Sequence, residues 1–229
     1  MPIPPRYNPT ELTQLRRRTH RGYYDAKTVH SILDAAVMGH VGYVHEGQSI
    51  VHPTAYWREG EWLYWHGSAA GRAIASQLTQ RVCFTVSLVD ALVLGRCGFT
   101  HSMLFRSVMA FGQPEQVEGV AAKRQAMDAL VDRLYPRRTA EIRPINEAEL
   151  AAITVVRLEL KEVSAKIRDG GVNEVQSDLS APCWAGILPL RTTIGEPIPD
   201  QNLKPGTPLS PAIAGYAPGT ELETALKAR

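Results

Sequence analysis

Between residues 40 and 66 three strand-like runs are joined by turns of only three and four residues, and connections that short force neighbouring strands to run antiparallel. Val41, Tyr43 and His45 alternate in the first run, Glu46-Gly47-Gln48 turns the chain, and 49–57 is the second run. Pro53 lies near its middle and donates no hydrogen bond, so this strand is expected to lie at an edge, break or bulge there. Arg58-Glu59-Gly60-Glu61 then leads into Trp62-Leu63-Tyr64-Trp65-His66, rich in the aromatic side chains that strands favour.

The period of two returns at 81–89, where Val82, Phe84 and Val86 alternate against Cys83, Thr85 and Ser87, and at 155–163, and a further strand is expected at 105–113. Helical spacing interrupts these runs. Asp25 is placed to cap a short helix carrying Val29, Ile32, Leu33 and Ala36; Ile74 and Leu78 mark a second at 69–80. Met127, Leu130, Val131 and Leu134 mark a third, which Pro136 stops. The regular βαβ alternation of a doubly wound sheet is missing. The expectation is a mainly β chain, an antiparallel barrel with peripheral helices.

Charge excludes one class of function. With 25 Lys+Arg against 23 Asp+Glu the net charge is +2, without the basic excess that gripping nucleic acid demands. Arg16-Arg17-Arg18 reads as a solvated helix face. No apolar run is long enough to span a bilayer, and the first residues lack a basic start followed by an apolar stretch, so a cytoplasmic protein without a membrane partner is expected. Cys83, Cys97 and Cys183 are odd in number and widely spaced, which favours buried free thiols over a disulfide framework. Half of the 16 prolines lie between Pro182 and Pro218, so an N-terminal extension (1–24) and a main domain (25–180) are followed by a proline-rich arm (181–229) wrapped over a surface.

Three segments carry chemistry. In Trp65-His66-Gly67-Ser68-Ala69-Ala70-Gly71-Arg72 a strand runs into a helix, Ser68 is a plausible N-cap, and the small residues after it leave the first turn open to an anion. Arg72 adds a two-pronged cation suited to phosphate oxygens. An ordinary strand-to-helix connection with close helix packing is the alternative. At His52-Pro53-Thr54 the proline interrupts the ladder and leaves backbone groups available to a heterocycle edge, or simply to water. At 101–108, His101, Ser102, Arg106 and Ser107 collect polar groups at one end of an apolar strand, a pattern that also suits a loop satisfying its own backbone.

Taken in order, these motifs resemble the flavin-nucleotide-binding split-barrel proteins related to pyridoxamine 5'-phosphate oxidase, closest to the branch of nitroimidazole-resistance-type reductases, over about residues 20 to 190. The resemblance implies a six-stranded antiparallel split barrel, a homodimer, and FMN in a groove to which both subunits contribute. It implies that Trp65, His66, Gly67, Ser68 and Arg72 hold the FMN phosphate, that His52, Pro53 and Thr54 lie along the isoalloxazine ring, and that His101, Ser102, Arg106 and Ser107 border the flavin. The chain departs from the vitamin B6 oxidases in carrying Ala70-Gly71-Arg72 where they carry Ser-Arg-Lys. It also ends in Leu226-Lys227-Ala228-Arg229, without their Arg-Leu-x-Pro close. Both departures point away from pyridoxamine phosphate as the substrate.

The implied activity is an FMN-dependent oxidoreductase passing electrons from a reduced nicotinamide or similar donor to a small-molecule acceptor, with the flavin doing the electron chemistry. The alternative is a binding module that stores flavin or accepts haem without turnover, which the seven histidines, all at or before His101, keep open. His66 is a candidate proton donor or a hydrogen-bond donor to the cofactor. Trp184 either pins the arm to the body or lines the substrate pocket. Cys97 and His101 supply too few ligands for a structural zinc site, and no metal is expected.

Overall fold

Ten strands, every pair antiparallel, form a single sheet in the computed structural model, which describes residues 6–227. Met1 to Pro5, at the start of the expected extension, and the terminal Ala228-Arg229 lie outside the described residues. In chain order come β1 (Gly22–Tyr23), α1 (Ala26–Asp34), β2 (Met38–His45), β3 (Gln48–Glu59), β4 (Trp62–Ser68), α2 (Arg72–Leu78), β5 (Val82–Leu94) and β6 (Ser102–Gly112). There follow β7 (Glu115–Gln116), α3 (Val120–Leu134), α4 (Glu147–Ala151), β8 (Ile153–Glu159), β9 (Glu162–Arg168), β10 (Gly186–Pro189) and α5 (Leu222–Lys227).

The sheet runs β1-β9-β6-β5-β2-β3-β4-β8-β7, with β10 added to β5, and its ends do not meet. The expected mainly β, antiparallel body with peripheral helices is therefore present, as an open path of nine strands with β10 as a branch. The six expected runs are β2, β3, β4, β5, β6 and β8. Of the additions, β9 arises because 155–163 is not one strand. It folds back at Leu160-Lys161, where the Leu160 amide donates to the Glu61 carbonyl at 2.7 Å. In the β2–β3 turn Glu46 and Gly47 both adopt positive φ, 50° and 77°, the paired left-handed geometry that matches strand twist.

The interior of the sheet is sealed by α1. Asp25 caps that helix by accepting the Thr28 amide at 2.8 Å, and Val29, Ile32 and Leu33 pack against Val41, Phe84, Val108 and Val163. A second, smaller core lies on the opposite face of β3, β4 and β8, where α3 places Ala126 and Leu130 over Trp57 and Val155. Val155 and Val156 are neighbours facing opposite sides, and both are fully buried because each side has its own core.

Two other expectations need correction. Arg16 to Arg18 are exposed but lie in an irregular segment, not on a helix. Cys83 and Cys97 are half-buried and Cys183 is exposed, all as free thiols, because the proline-rich segment leaves Cys183 at the surface. That segment is mostly irregular, apart from β10 and α5. Among the described residues no helix is long and apolar enough to cross a membrane.

Candidate functional site

Strand β3 changes partners along its length: residues 48–55 pair with β2, whereas 56–59 pair with β4. Beyond Trp65, β4 pairs only with β8. Two unpaired backbone edges therefore diverge from the Tyr56–Trp65 pair. His52, Pro53 and Thr54 lie on one, and His66, Gly67 and Ser68 on the other. Pro53 sits where a missing donor costs least, on a half-strand with one neighbour. His52 and Pro53 are exposed, and Thr54 is buried with its hydroxyl donating to the Ala55 carbonyl at 3.2 Å.

The strand-to-helix segment is built differently from the expectation. Ser68 remains in the ladder opposite Ile153, and the residues after it form a turn in which the Gly71 amide donates to the Ser68 carbonyl at 2.9 Å. The Ala69 amide donates to Ala152 at 2.9 Å. Gly71, not Ser68, is the N-cap, so α2 starts at Arg72 with no side-chain cap. Gly67 permits this approach: a Cβ there would lie 2.7 Å from Ile74 Cγ1. Arg72 is exposed and makes no hydrogen bond or ion pair among the described residues, leaving a free cation at the mouth of the split.

Opposite residues share a face, so His66 and Ser68 project to the same side as Val155 and Ile153. On that side the His66 ring lies 6.5 Å from Trp57, and each ring carries a buried nitrogen, His66 Nδ1 and Trp57 Nε1, without a hydrogen-bond partner among the described residues. Burial lowers the His66 pKa and favours the neutral imidazole. Unpaired buried polar atoms are costly, and a pair of them beside an open edge fits a bound polar group. Sequence reading missed Trp57, whose position in an aromatic strand looks like ordinary core. Trp65, by contrast, turns inward, where its fully buried indole donates to Gln77 at 2.9 Å and stacks on Phe84. Only its backbone faces the split.

The third group does not join the other two within one chain, because β5 and β2 separate β6 from β3. His101 is exposed, with Nδ1 3.0 Å from the Cys97 carbonyl, and Ser102 pairs with Val93. The Ser107 hydroxyl donates to Lys166 at 3.4 Å. Arg106 is not free for an anion: Asp90 and Glu223 grip its guanidinium from two sides, and their hydrogen bonds push its pKa up. Trp184 is 64% exposed and lies against Gly186, the first residue of β10.

A family model described as pyridoxamine 5'-phosphate oxidase matches residues 25–167. The chain belongs to the pyridoxamine 5'-phosphate oxidase family. Among solved structures this oxidase-family chain is similar to the flavocytochrome Anf3 from Azotobacter vinelandii, with 37% identity, a TM-score of 0.88, and coverage of 93% of this chain and 100% of that one. It is also similar to a FAD and heme binding protein from Mycobacterium smegmatis, at 31% identity and TM-score 0.84 over 88% of this chain and 98% of the other. A 5-nitroimidazole antibiotic resistance protein homologue from Bacteroides thetaiotaomicron matches less of it, with 26% identity and TM-score 0.53 over 62% of this chain and 84% of that chain. A search of the curated proteins found no match. The two full-length similarities extend past the oxidase-family match, into the segments that flank the barrel.

Proposed function

We propose that this chain is a flavin-binding oxidoreductase of flavocytochrome type. It holds a flavin nucleotide at the split between β3 and β4 and a haem in the same protein. The observation that carries this reading is the similarity to a flavocytochrome over 93% of this chain and 100% of the other.

The residues present fit a flavin. Unpaired backbone groups at 52–54 and 66–68 suit the polar edge of a heterocycle, Trp57 Nε1 is a donor without an acceptor, and Arg72 is a free guanidinium for a phosphate. FMN and FAD both offer that phosphate. When bound, the flavin supplies hydride and single-electron chemistry, and the chain supplies position and polarity. A reduced nicotinamide is the expected donor and a small molecule the acceptor. His66, neutral and beside the split, is placed to hydrogen-bond the cofactor.

An imidazole that ligates haem must be neutral and have one ring nitrogen free for the iron. His30 uses its Nε2 toward Tyr7 and Glu61, His45 and His101 use only Nδ1 and keep Nε2 open, and His20, His40 and His52 make no hydrogen bond among the described residues. His40 and His52, on opposite faces of the β2–β3 hairpin, are proposed first among these candidates because they lie beside the split. The outer face of the same hairpin, with Gly42 beside Cys83, His40 beside Thr85 and exposed Met38, Val51 and Met109 around them, suits a second copy, and the reading includes a homodimer.

Denaturing the purified protein and chromatographing what is released tests the reading. Flavin with haem is expected, together with twin flavin bands and a Soret band before denaturation. Absence of flavin overturns the proposal, and flavin without haem after expression with a haem supply reduces it to a flavin-only oxidoreductase.

A further inference from the structure

We propose that the outer face of β10, β5, β6 and β9 is a docking surface for a small acidic electron-carrier protein, a source of electrons beside the reduced nicotinamide. The inference rests on the oxidoreductase reading above. Gly22 pairs with Lys166, which places the turn at Thr19–Arg21 alongside the end of β9 at Arg168. Arg21 and Arg168 are half-buried there, Arg18 and Lys166 are exposed, and Arg16 and Arg17 continue the run along exposed, irregular chain. None of these side chains makes a hydrogen bond or ion pair among the described residues, and Asp169, next to Arg168, pairs with none of them. Burial and the Arg21 and Arg18 charges lower the Arg168 pKa, so these guanidiniums lie within one another's field. A chain of net charge +2 thus gathers a group of uncompensated cations in one place.

Apolar surface adjoins the cations. Opposite residues share a face, so Leu188, Leu92 and Met103 form one row across β10, β5 and β6, and Val89, Phe105 and Arg168 form the next across β5, β6 and β9. Val108 faces the core, so Met103 and Phe105 face outward. Leu188, Leu92, Met103 and Val89 are each 42–47% exposed, and Lys166 Nζ stands 6.0 Å from the centre of the Phe105 ring. An apolar centre bordered by charge is the anatomy of a protein interface. Nucleic acid brings phosphates but nothing to cover the apolar rows, and a second copy brings the same surplus of cations. Side chains less than half exposed on a sheet face do not reach into a bilayer. The occupant that fits is a protein whose own apolar spot is ringed by carboxylates. Redox carriers meet their partners through small, charge-steered contacts, which speed encounter and let the carrier leave. Each carrier gives up one electron, so two encounters and two protons from solvent reduce one flavin fully.

Mixing the flavin-loaded full-length protein anaerobically with chemically reduced plant-type ferredoxin, an acidic carrier, and following flavin absorbance by stopped flow tests this. Flavin reduction is expected, at a rate that falls about tenfold between about 20 and 200 mM salt. Arg21→Glu combined with Arg168→Glu should slow it about tenfold or more at low salt, leaving flavin content and reduction by NADH or NADPH unchanged. Should that variant fail to fold, Arg18→Glu, on exposed chain, serves, with a loss in the same direction. No reduction, a rate independent of salt, or a rate unaltered in every folded variant overturns the inference while leaving the flavin site standing. So does a charge reversal that abolishes dimerisation, or sedimentation with phosphatidylserine vesicles, without moving the ferredoxin rate. If the purified protein holds no flavin, the oxidoreductase reading fails by itself, and calorimetric titration with ferredoxin still decides the docking. Binding lost on charge reversal supports it, and no binding overturns it.

Discussion

Arg106 and Glu223, 117 residues apart in sequence, meet in a two-pronged ion pair with Nη1–Oε1 and Nη2–Oε2 distances of 3.0 and 2.8 Å. The pair ties α5, near the end of the described chain, to β6 in the sheet, and Asp90 on β5 holds the same guanidinium from the other side. Glu223→Gln should cost about 1–2 kcal/mol, since both partners are half-buried and the bonds are charge-assisted. Limited proteolysis that cuts after residue 190 faster than in the wild type, with the remainder still folded, is the expected result.

The same pair predicts a pH dependence. Hydrogen bonds from Arg106 hold the Glu223 carboxyl at about 2, below its ordinary 4.5. A depressed carboxyl contributes its stability fully above the unfolded value and loses it as pH falls through the folded one. The arm should therefore loosen between about pH 4.5 and 2. In Glu223→Gln that part of the acid transition should be absent from a tryptophan-fluorescence titration.

Arg72→Ala tests the free cation. No described residue engages this side chain through a hydrogen bond or ion pair, so thermal stability of the cofactor-free protein should not change. Flavin affinity should fall by about 1.5–3 kcal/mol if the guanidinium meets a phosphate. Equal affinity in wild type and variant removes Arg72 from the site.

Gly67→Ala tests the turn. An added methyl would stand 2.7 Å from Ile74 Cγ1, on a helix whose start the turn positions. Overpacking of this kind costs about 1–3 kcal/mol. Loss of bound flavin together with a lower melting temperature is expected, whereas Gly60→Ala, which adds its methyl in open space but at a φ of 56°, should lower stability alone.

Tyr7 anchors the start of the described chain. Its hydroxyl donates to Glu61 at 2.6 Å and lies 2.9 Å from His30 Nε2, itself 3.2 Å from Glu61. Burial pushes the His30 pKa down, with the Arg58 charge adding to it. Protonation of His30 is thus harder in the fold than in the unfolded chain, and stability should decline as pH drops below the ordinary imidazole value of 6.5. Urea melts at two pH values spanning that range should show a decline that His30→Gln reduces, the remainder coming from His66, whose pKa burial also lowers.

The hairpins from β2 to β4 were legible because each joins alternating residues through a turn containing a glycine at positive φ, Gly47 or Gly60. The β8–β9 hairpin was not, since Leu160-Lys161 carries no turn residue and the alternation reads straight through it. Ser68 has the right chemistry for an N-cap, yet pairing with Ile153 keeps it in the strand and moves the helix start to Arg72. Tertiary pairing outweighed a local preference. At Arg106 the type of group was legible and its fate was not, because the carboxylate that saturates it comes from α5.

The change of partners along β3 has a bearing on how the bare polypeptide behaves in a cell. A half-strand with one side unclaimed is a template for any other extended segment, and Pro53 blunts it at a single residue only. Newly made copies that have not acquired their prosthetic group should be prone to clump, so the yield of usable protein is expected to rise with cofactor supply during synthesis.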